Sequence, residues 1–219
     1  MGVLQEIHTK LFVHFGPQHW WPGETPFEVC VGAILTQNTA WTNVEKAIAN
    51  LKEQGLLDFD RMLAADESQL ATCIHPAGYF NIKAKRLKSF LNGVQEKFGG
   101  FAALFELSQD TLREALLGLS GVGPETADSM ILYAFHKPTF VVDAYTKRIL
   151  MRHRLIDDEA DYHAIKDYFE SHLESDTQLY NEYHALIVRT GKDLCHKSKP
   201  KCSVCPLKDV NGGPILPLI

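Results

Sequence analysis

Asp143 closes an apolar run, Phe140-Val141-Val142-Asp143-Ala144-Tyr145, and follows the segment Leu119-Ser120-Gly121-Val122-Gly123 by 20 residues counted from its last glycine. A carboxylate held in a water-poor place stabilises a developing cation and can orient or deprotonate an attacking water. The same residue suits a helix N-cap, because Ala144-Tyr145-Thr146-Lys147-Arg148 reads as a helix start. One carboxylate can do both. The glycine segment lies between two helix-like runs, 111–117 and 125–135. Glycine tolerates positive φ and leaves backbone amides uncovered. Pro124 favours a first helical turn, whose N-terminus adds free N–H groups and a positive dipole end. Gly121, Val122 and Gly123 thus form either an anion cradle fit for a phosphate or simply a tight turn between helices.

A second group of chemistry-bearing residues closes the chain. Cys195, Cys202 and Cys205 stand in a C-x6-C-x2-C pattern, with Lys197, Lys199 and Lys201 between the first two. Such spacing suits an iron–sulfur cluster, a three-cysteine zinc site completed by an oxygen or nitrogen donor, or no metal at all. Cys30 and Cys73 fall on apolar helix faces, where buried free thiols are expected. Three cysteines bunched together point to a reducing compartment rather than a disulfide framework. The ten histidines are scattered, with no His-Glu-x-x-His spacing; His196 is the one adjacent to a candidate ligand. Trp20-Trp21-Pro22 and Trp41 could offer aromatic faces to a base or belong to the core.

The elements that must position these residues are helical. Apolar residues recur at helical spacing over 7–15, 27–35, 44–51, 63–74, 84–98, 111–117, 126–135, 146–153, 160–173 and 179–190, with Gly and Pro punctuation between them. The run 139–142 could pass for a strand but has no partner to pair with. An all-α fold in two lobes is expected.

At 219 residues and 45% hydrophobic, the chain can bury a substantial core. It has no apolar run of transmembrane length and no signal-peptide or myristoylation pattern at its start, so a soluble, intracellular and cytoplasmic protein is expected. A net charge of −5 does not fit a non-specific nucleic-acid coat. Positive charge is nonetheless concentrated at Lys83, Lys85, Arg86 and Lys88, and at Lys192, Lys197, Lys199 and Lys201. Each cluster is either a set of phosphate contacts or a solvated helix face.

Taken together, the hairpin, the aspartate, the cysteine spacing and two further segments, 35–39 and 78–84, resemble the helix-hairpin-helix DNA glycosylases of the endonuclease III superfamily over most of the chain. The resemblance implies a six-helix barrel over residues 25–136 and a second helical domain made of 1–24 with 137–219, with a DNA-binding cleft between them. It implies a base-excision enzyme, active as a monomer on double-stranded DNA containing a damaged base, with Asp143 driving hydrolysis of an N-glycosidic bond. Lys197, Lys199 and Lys201 sit where the superfamily's cysteine loop meets DNA. Cys195, Cys202 and Cys205 match the first three ligands of its [4Fe–4S] cluster, while the fourth position is Asn211.

The resemblance also carries a second departure and a substrate. Members that cut the DNA backbone carry a lysine two residues after the last hairpin glycine; here that position is Glu125. A carboxylate cannot form the imine that backbone cleavage uses, so hydrolysis without lyase activity is expected. Gln37 resembles the residue that fills the gap left by a flipped base. Trp20, Trp21, Pro22 and Trp41, with Glu125, would receive a base, and indole faces favour a cationic one. These residues look most like the 3-methyladenine DNA glycosylase III branch. An endonuclease III-like enzyme for mismatched or oxidised bases, and a non-catalytic DNA-binding module, are the competing readings.

Overall fold

A computed structural model describes residues 2–215. Among these there is no strand, and the chain is all-α. Its α-helices are α1 (Val3–Phe15), α2 (Pro26–Leu35), α3 (Trp41–Glu53), α4 (Phe59–Ala64), α5 (Glu67–Cys73), α6 (Phe80–Phe98), α7 (Gln109–Leu117), α8 (Pro124–Ser129), α9 (Ala144–Arg152), α10 (Tyr162–His172) and α11 (Thr177–Asp193). Residue 1 and residues 216–219, which the expected second domain includes, lie outside the described residues. No helix among the described residues is long and apolar enough to cross a membrane.

Side-chain caps set many of the helix starts. Thr25, Asp58, Ser108, Asp143, Asp161 and Asp176 each accept a hydrogen bond from a backbone amide in the first turn that follows. Each such cap contributes about 1 kcal/mol. Two helices depart from the periodicity. The expected helix over 63–74 breaks into α4 and α5, with Ala65 and Asp66 extended. Lys88 explains the break: its ammonium takes the carbonyls of Leu63 and Ala65, which an unbroken helix would use itself. The run 126–135 is also not uniform. It leaves α8 at Ser129 and continues through Met130–Ala134 as a wider π turn, closed by Phe135 N–H on Met130 O at 3.1 Å.

The chain divides into two compact units, Trp21–Lys137 on one hand and the segment before Trp21 joined to that from Pro138 onward on the other. In the first unit α2 is buried from Phe27 to Leu35, so it forms the central helix around which the others lie. In the second unit the core is aromatic. Phe140 stacks on Phe169 at 3.8 Å between centroids and meets Tyr180 and Tyr183 edge-on. The 139–142 run belongs to no helix and pairs with no strand. Glu170 holds it instead, accepting from Phe140 N–H at 2.7 Å and from the Thr139 hydroxyl at 3.3 Å. Lys166 pairs with the same carboxylate oxygen at 2.5 Å.

Close helix contact makes one glycine of this unit irreplaceable. A Cβ on Gly191 of α11 would stand 2.2 Å from Tyr145 Cδ1, in the first turn of α9. Gly191→Ala is expected to cost about 1–3 kcal/mol by overpacking and to lower the melting temperature. An unchanged melting temperature would show that Tyr145 moves aside freely.

Buried His184 and half-buried His8 give this unit a pH dependence. Burial lowers the pKa of His184 and of His8 from 6.5, against weaker opposing pulls from Asp143 and Glu182 respectively. Folding favours the neutral form of both, while the unfolded chain takes up protons below 6.5. Their contribution is therefore fully present above that pH and is lost as pH falls from 6.5 toward the folded values. Denaturant unfolding at pH 7.5 and 5.5 is expected to show lower stability at the acid value; equal stability would contradict the assignment.

Candidate DNA-binding and catalytic site

The hairpin joins α7 to α8 and is fixed from three sides. Gly121 has φ +88°, and a Cβ there would meet Arg86 Cγ at 2.6 Å, so only glycine fits. Arg86 lays its stem against the turn and donates from its guanidinium to Gln37 Oε1. Gln37 Nε2 donates in turn to Gly121 O at 3.1 Å and to Thr126 Oγ1 at 3.0 Å. Arg113 of α7 grips Asp128 of α8 through two bonds of 2.8 and 3.1 Å. Gly123 has a different role. It is extended, with φ −91° and ψ 177°, and a Cβ there would meet nothing within 4 Å. It therefore shapes no turn; its missing side chain leaves open space over the backbone that starts α8. Val122 is buried, and its N–H donates to Leu119 O at 3.2 Å. Glu125 is exposed in the first turn of α8, where the helix dipole favours a negative charge.

The basic run of α6 is mostly internal, so neither a row of phosphate contacts nor a solvated helix face describes it as a whole. Lys83 is buried and donates to Leu35 O at 2.7 Å and Ala77 O at 2.8 Å. It satisfies the end of α2, and burial, with Arg86 nearby, pushes its pKa down to about 8. Lys88 and Arg86 are committed to carbonyls and to Gln37 as described above. Lys85 alone of the four is exposed.

Aromatic residues of the same unit form a cluster. Trp21 meets Trp41 edge-on at 5.1 Å and tilts against Tyr133 at 5.2 Å. Gly32 of α2 lies under both indoles, its Cβ position 3.5 Å from Trp21 and 3.7 Å from Trp41. Both indoles remain partly exposed, and Pro22 is exposed. Trp20 belongs to the other unit, where Lys192 Nζ lies 5.7 Å from its ring centroid.

Asp143 starts α9. Its Oδ1 accepts from Thr146 N–H at 2.7 Å and from the Thr146 hydroxyl at 2.8 Å. The cap uses one oxygen and leaves Oδ2 3.8 Å from Nε2 of buried His184, with 12% of the Asp143 side chain exposed. A carboxylate in this state is anchored, largely desolvated and still reachable.

The cysteine loop is tied to the same helix. Arg148 donates to Cys195 O at 2.8 Å, and Arg152 donates to Cys195 Sγ at 3.0 Å, to His196 O at 2.8 Å and to Lys197 O at 2.9 Å. Lys197, Lys199 and Lys201 project from this loop and are exposed. Cys195, Cys202, Cys205 and His153 line one cavity of about 20 Å³, room on the order of one water. Burial and the neighbouring Cys195 push the Cys202 thiol up, and burial does the same to Cys205. Among the described residues no three His, Cys, Asp or Glu groups converge closely enough for a single metal ion. The sulfurs instead surround the cavity beside a guanidinium. By donor chemistry these residues fit a thiolate-bound group. Asn211 does not line the cavity: its Nδ2 donates to His153 O at 2.6 Å.

Residues 31–175 match the family described as HhH-GPD superfamily base excision DNA repair protein. The chain belongs to this superfamily. It is a DNA glycosylase of base excision repair. A protein of Methanocaldococcus jannaschii assigned as a DNA repair glycosylase is 48% identical over 94% of both chains. The endonuclease III of Sulfolobus acidocaldarius is 29% identical over 84% of this chain and 80% of its own. Among solved structures, the H. pylori 3-methyladenine DNA glycosylase bound to 1,N6-ethenoadenine superposes with a TM-score of 0.75 at 30% identity, covering 88% of this chain and 98% of that one. An endonuclease III–DNA covalent intermediate reaches 0.82 over 97% and 98% of the two chains at 21% identity, which shows a shared fold.

Sequence reasoning missed the roles of the residues that hold the superfamily's landmarks in place. Arg86, Arg113, Asp128, Arg148, Arg152 and Glu170 act through contacts 15 to 49 residues away, and local periodicity carries no signal for partners at that range. Asp128 offered one clue, a carboxylate in an otherwise apolar helix run.

Proposed function

We propose that this glycosylase is monofunctional and hydrolyses the N-glycosidic bond of alkylated purines such as 3-methyladenine, leaving an abasic site. Glu125 carries the first half of the reading: at the position two residues past the hairpin, where resembling lyases place an amine, it has no nucleophile for an imine. The similarity to the H. pylori enzyme and the Trp21–Trp41–Tyr133 cluster support the second half. In this reading Trp20, Trp21, Pro22, Trp41 and Glu125 receive the extruded base, and Gln37 fills the gap. Gly121 and Gly123, with Lys197, Lys199 and Lys201, take phosphates of double-stranded DNA, while the Val122 N–H is spent on Leu119 O, and the protein acts as a monomer.

Asp143 stabilises the oxocarbenium-like sugar and accepts the proton of the attacking water. The glycosidic electron pair leaves with the base. An N-alkylated purine departs as a neutral molecule, so no strong acid is required. Cys195, Cys202 and Cys205 hold an iron–sulfur cluster, which would brace the loop bearing the three lysines.

Borohydride trapping tests the absence of lyase chemistry. Incubation with lesion-containing duplex and borohydride is expected to give no covalent protein–DNA adduct, and the product strand should stay intact until alkali is added. A trapped adduct would overturn the monofunctional reading and favour the bifunctional, endonuclease III-like alternative for mismatched or oxidised bases.

A further inference from the structure

The position that should supply a fourth thiolate holds Asn211, and the segment around it does something else. Asn211 Nδ2 donates to the backbone carbonyl of His153 at 2.6 Å. The preceding residue, Val210, sets its own carbonyl 3.2 Å from His153 Nδ1. A carbonyl only accepts, so Nδ1 carries the proton and Nε2 keeps its lone pair. His153 is buried at the end of α9, next to Arg152, and lines the same cavity as the three cysteines. A backbone carbonyl bound to the far ring nitrogen is the usual way a metal-binding imidazole is oriented.

We propose that His153 Nε2 is the fourth ligand of an iron–sulfur cluster held by Cys195, Cys202 and Cys205. The inference rests on the cluster reading above. Residues 210 and 211 then keep their place beside the cavity but orient a nitrogen donor rather than providing a sulfur. Exchanging one thiolate for a neutral imidazole removes a negative charge from the ligand set and raises the reduction potential relative to four thiolates.

Full-length protein purified without oxygen, with histidine labelled by nitrogen-15, tests this directly. Iron and acid-labile sulfide are measured first, and the paramagnetic form is then examined by pulsed electron resonance. The expected result is iron and sulfide in the protein, a nitrogen hyperfine coupling from histidine, and loss of that coupling in His153→Cys. That variant should retain the cluster at a lower reduction potential. A cluster with no histidine coupling, or a coupling that persists in His153→Cys and so comes from another histidine such as His196, overturns the ligand assignment alone. Protein that holds zinc, or that takes up no cluster even after reconstitution with iron and sulfide, overturns the cluster reading itself. Where His153→Cys fails to fold, His196→Gln decides: a coupling that survives in it supports His153, and one that disappears assigns the ligand to His196 and overturns the proposal.

Discussion

Asp143→Asn is expected to lower single-turnover base release by about 10²–10³-fold, the usual scale for removing one electrostatic stabiliser of a transition state, while duplex binding changes little. Asparagine isolates the charge well here. Its side-chain oxygen can keep accepting from Thr146 N–H and the Thr146 hydroxyl, as Asp143 Oδ1 does, and it caps helices about as well as aspartate. The fold and the start of α9 should therefore survive. Asp143→Ala removes cap and charge together, so it should lose activity and also about 1 kcal/mol of stability. Single-turnover kinetics beside thermal unfolding separate the two losses. An Asn variant with near-normal base release would leave Asp143 as a cap alone.

Arg113→Leu is expected to be among the most destabilising single changes in the hairpin, at about 3–5 kcal/mol. Arg113 and Asp128 clamp α7 to α8 across the glycine turn, and the two sides are unequal: the Asp128 side chain is 0% exposed, that of Arg113 22%. Removing the arginine takes two hydrogen bonds from a carboxylate that water does not reach. Removing the charge with Asp128→Asn leaves a guanidinium that can still hydrate, so its cost should be smaller. Denaturant unfolding of both variants measures the difference. Equal losses, or an Arg113→Leu loss under about 1 kcal/mol, would show that the clamp contributes little.

What could be read from the sequence was what depends on neighbouring residues. Helical periodicity gave the all-α fold, and turn and capping residues such as Pro124, Ser108 and Asp143 marked helix starts. Spacing showed Glu125 and Asn211 as departures. What stayed hidden depends on partners far along the chain. Lys83 and Lys88 looked like surface charge until the carbonyls of Leu35, Ala77, Leu63 and Ala65 were found on their ammonium groups. Gly121 and Gly123 looked equivalent, yet one is required by φ and by Arg86 while the other faces open space. Trp20 and Trp21 are adjacent in sequence but belong to different units. His153 carried no spacing signal at all, because its significance comes from Val210, Asn211 and the cysteines of a loop more than 40 residues away.

The most direct test of the proposed function is to incubate the purified protein with methylated duplex DNA and analyse the released bases chromatographically, with strand integrity measured on the same sample. Free 3-methyladenine together with uncut, alkali-sensitive strands is the predicted result. Strands cut without alkali, or release of mismatched or oxidised bases but no alkylpurine, would contradict it.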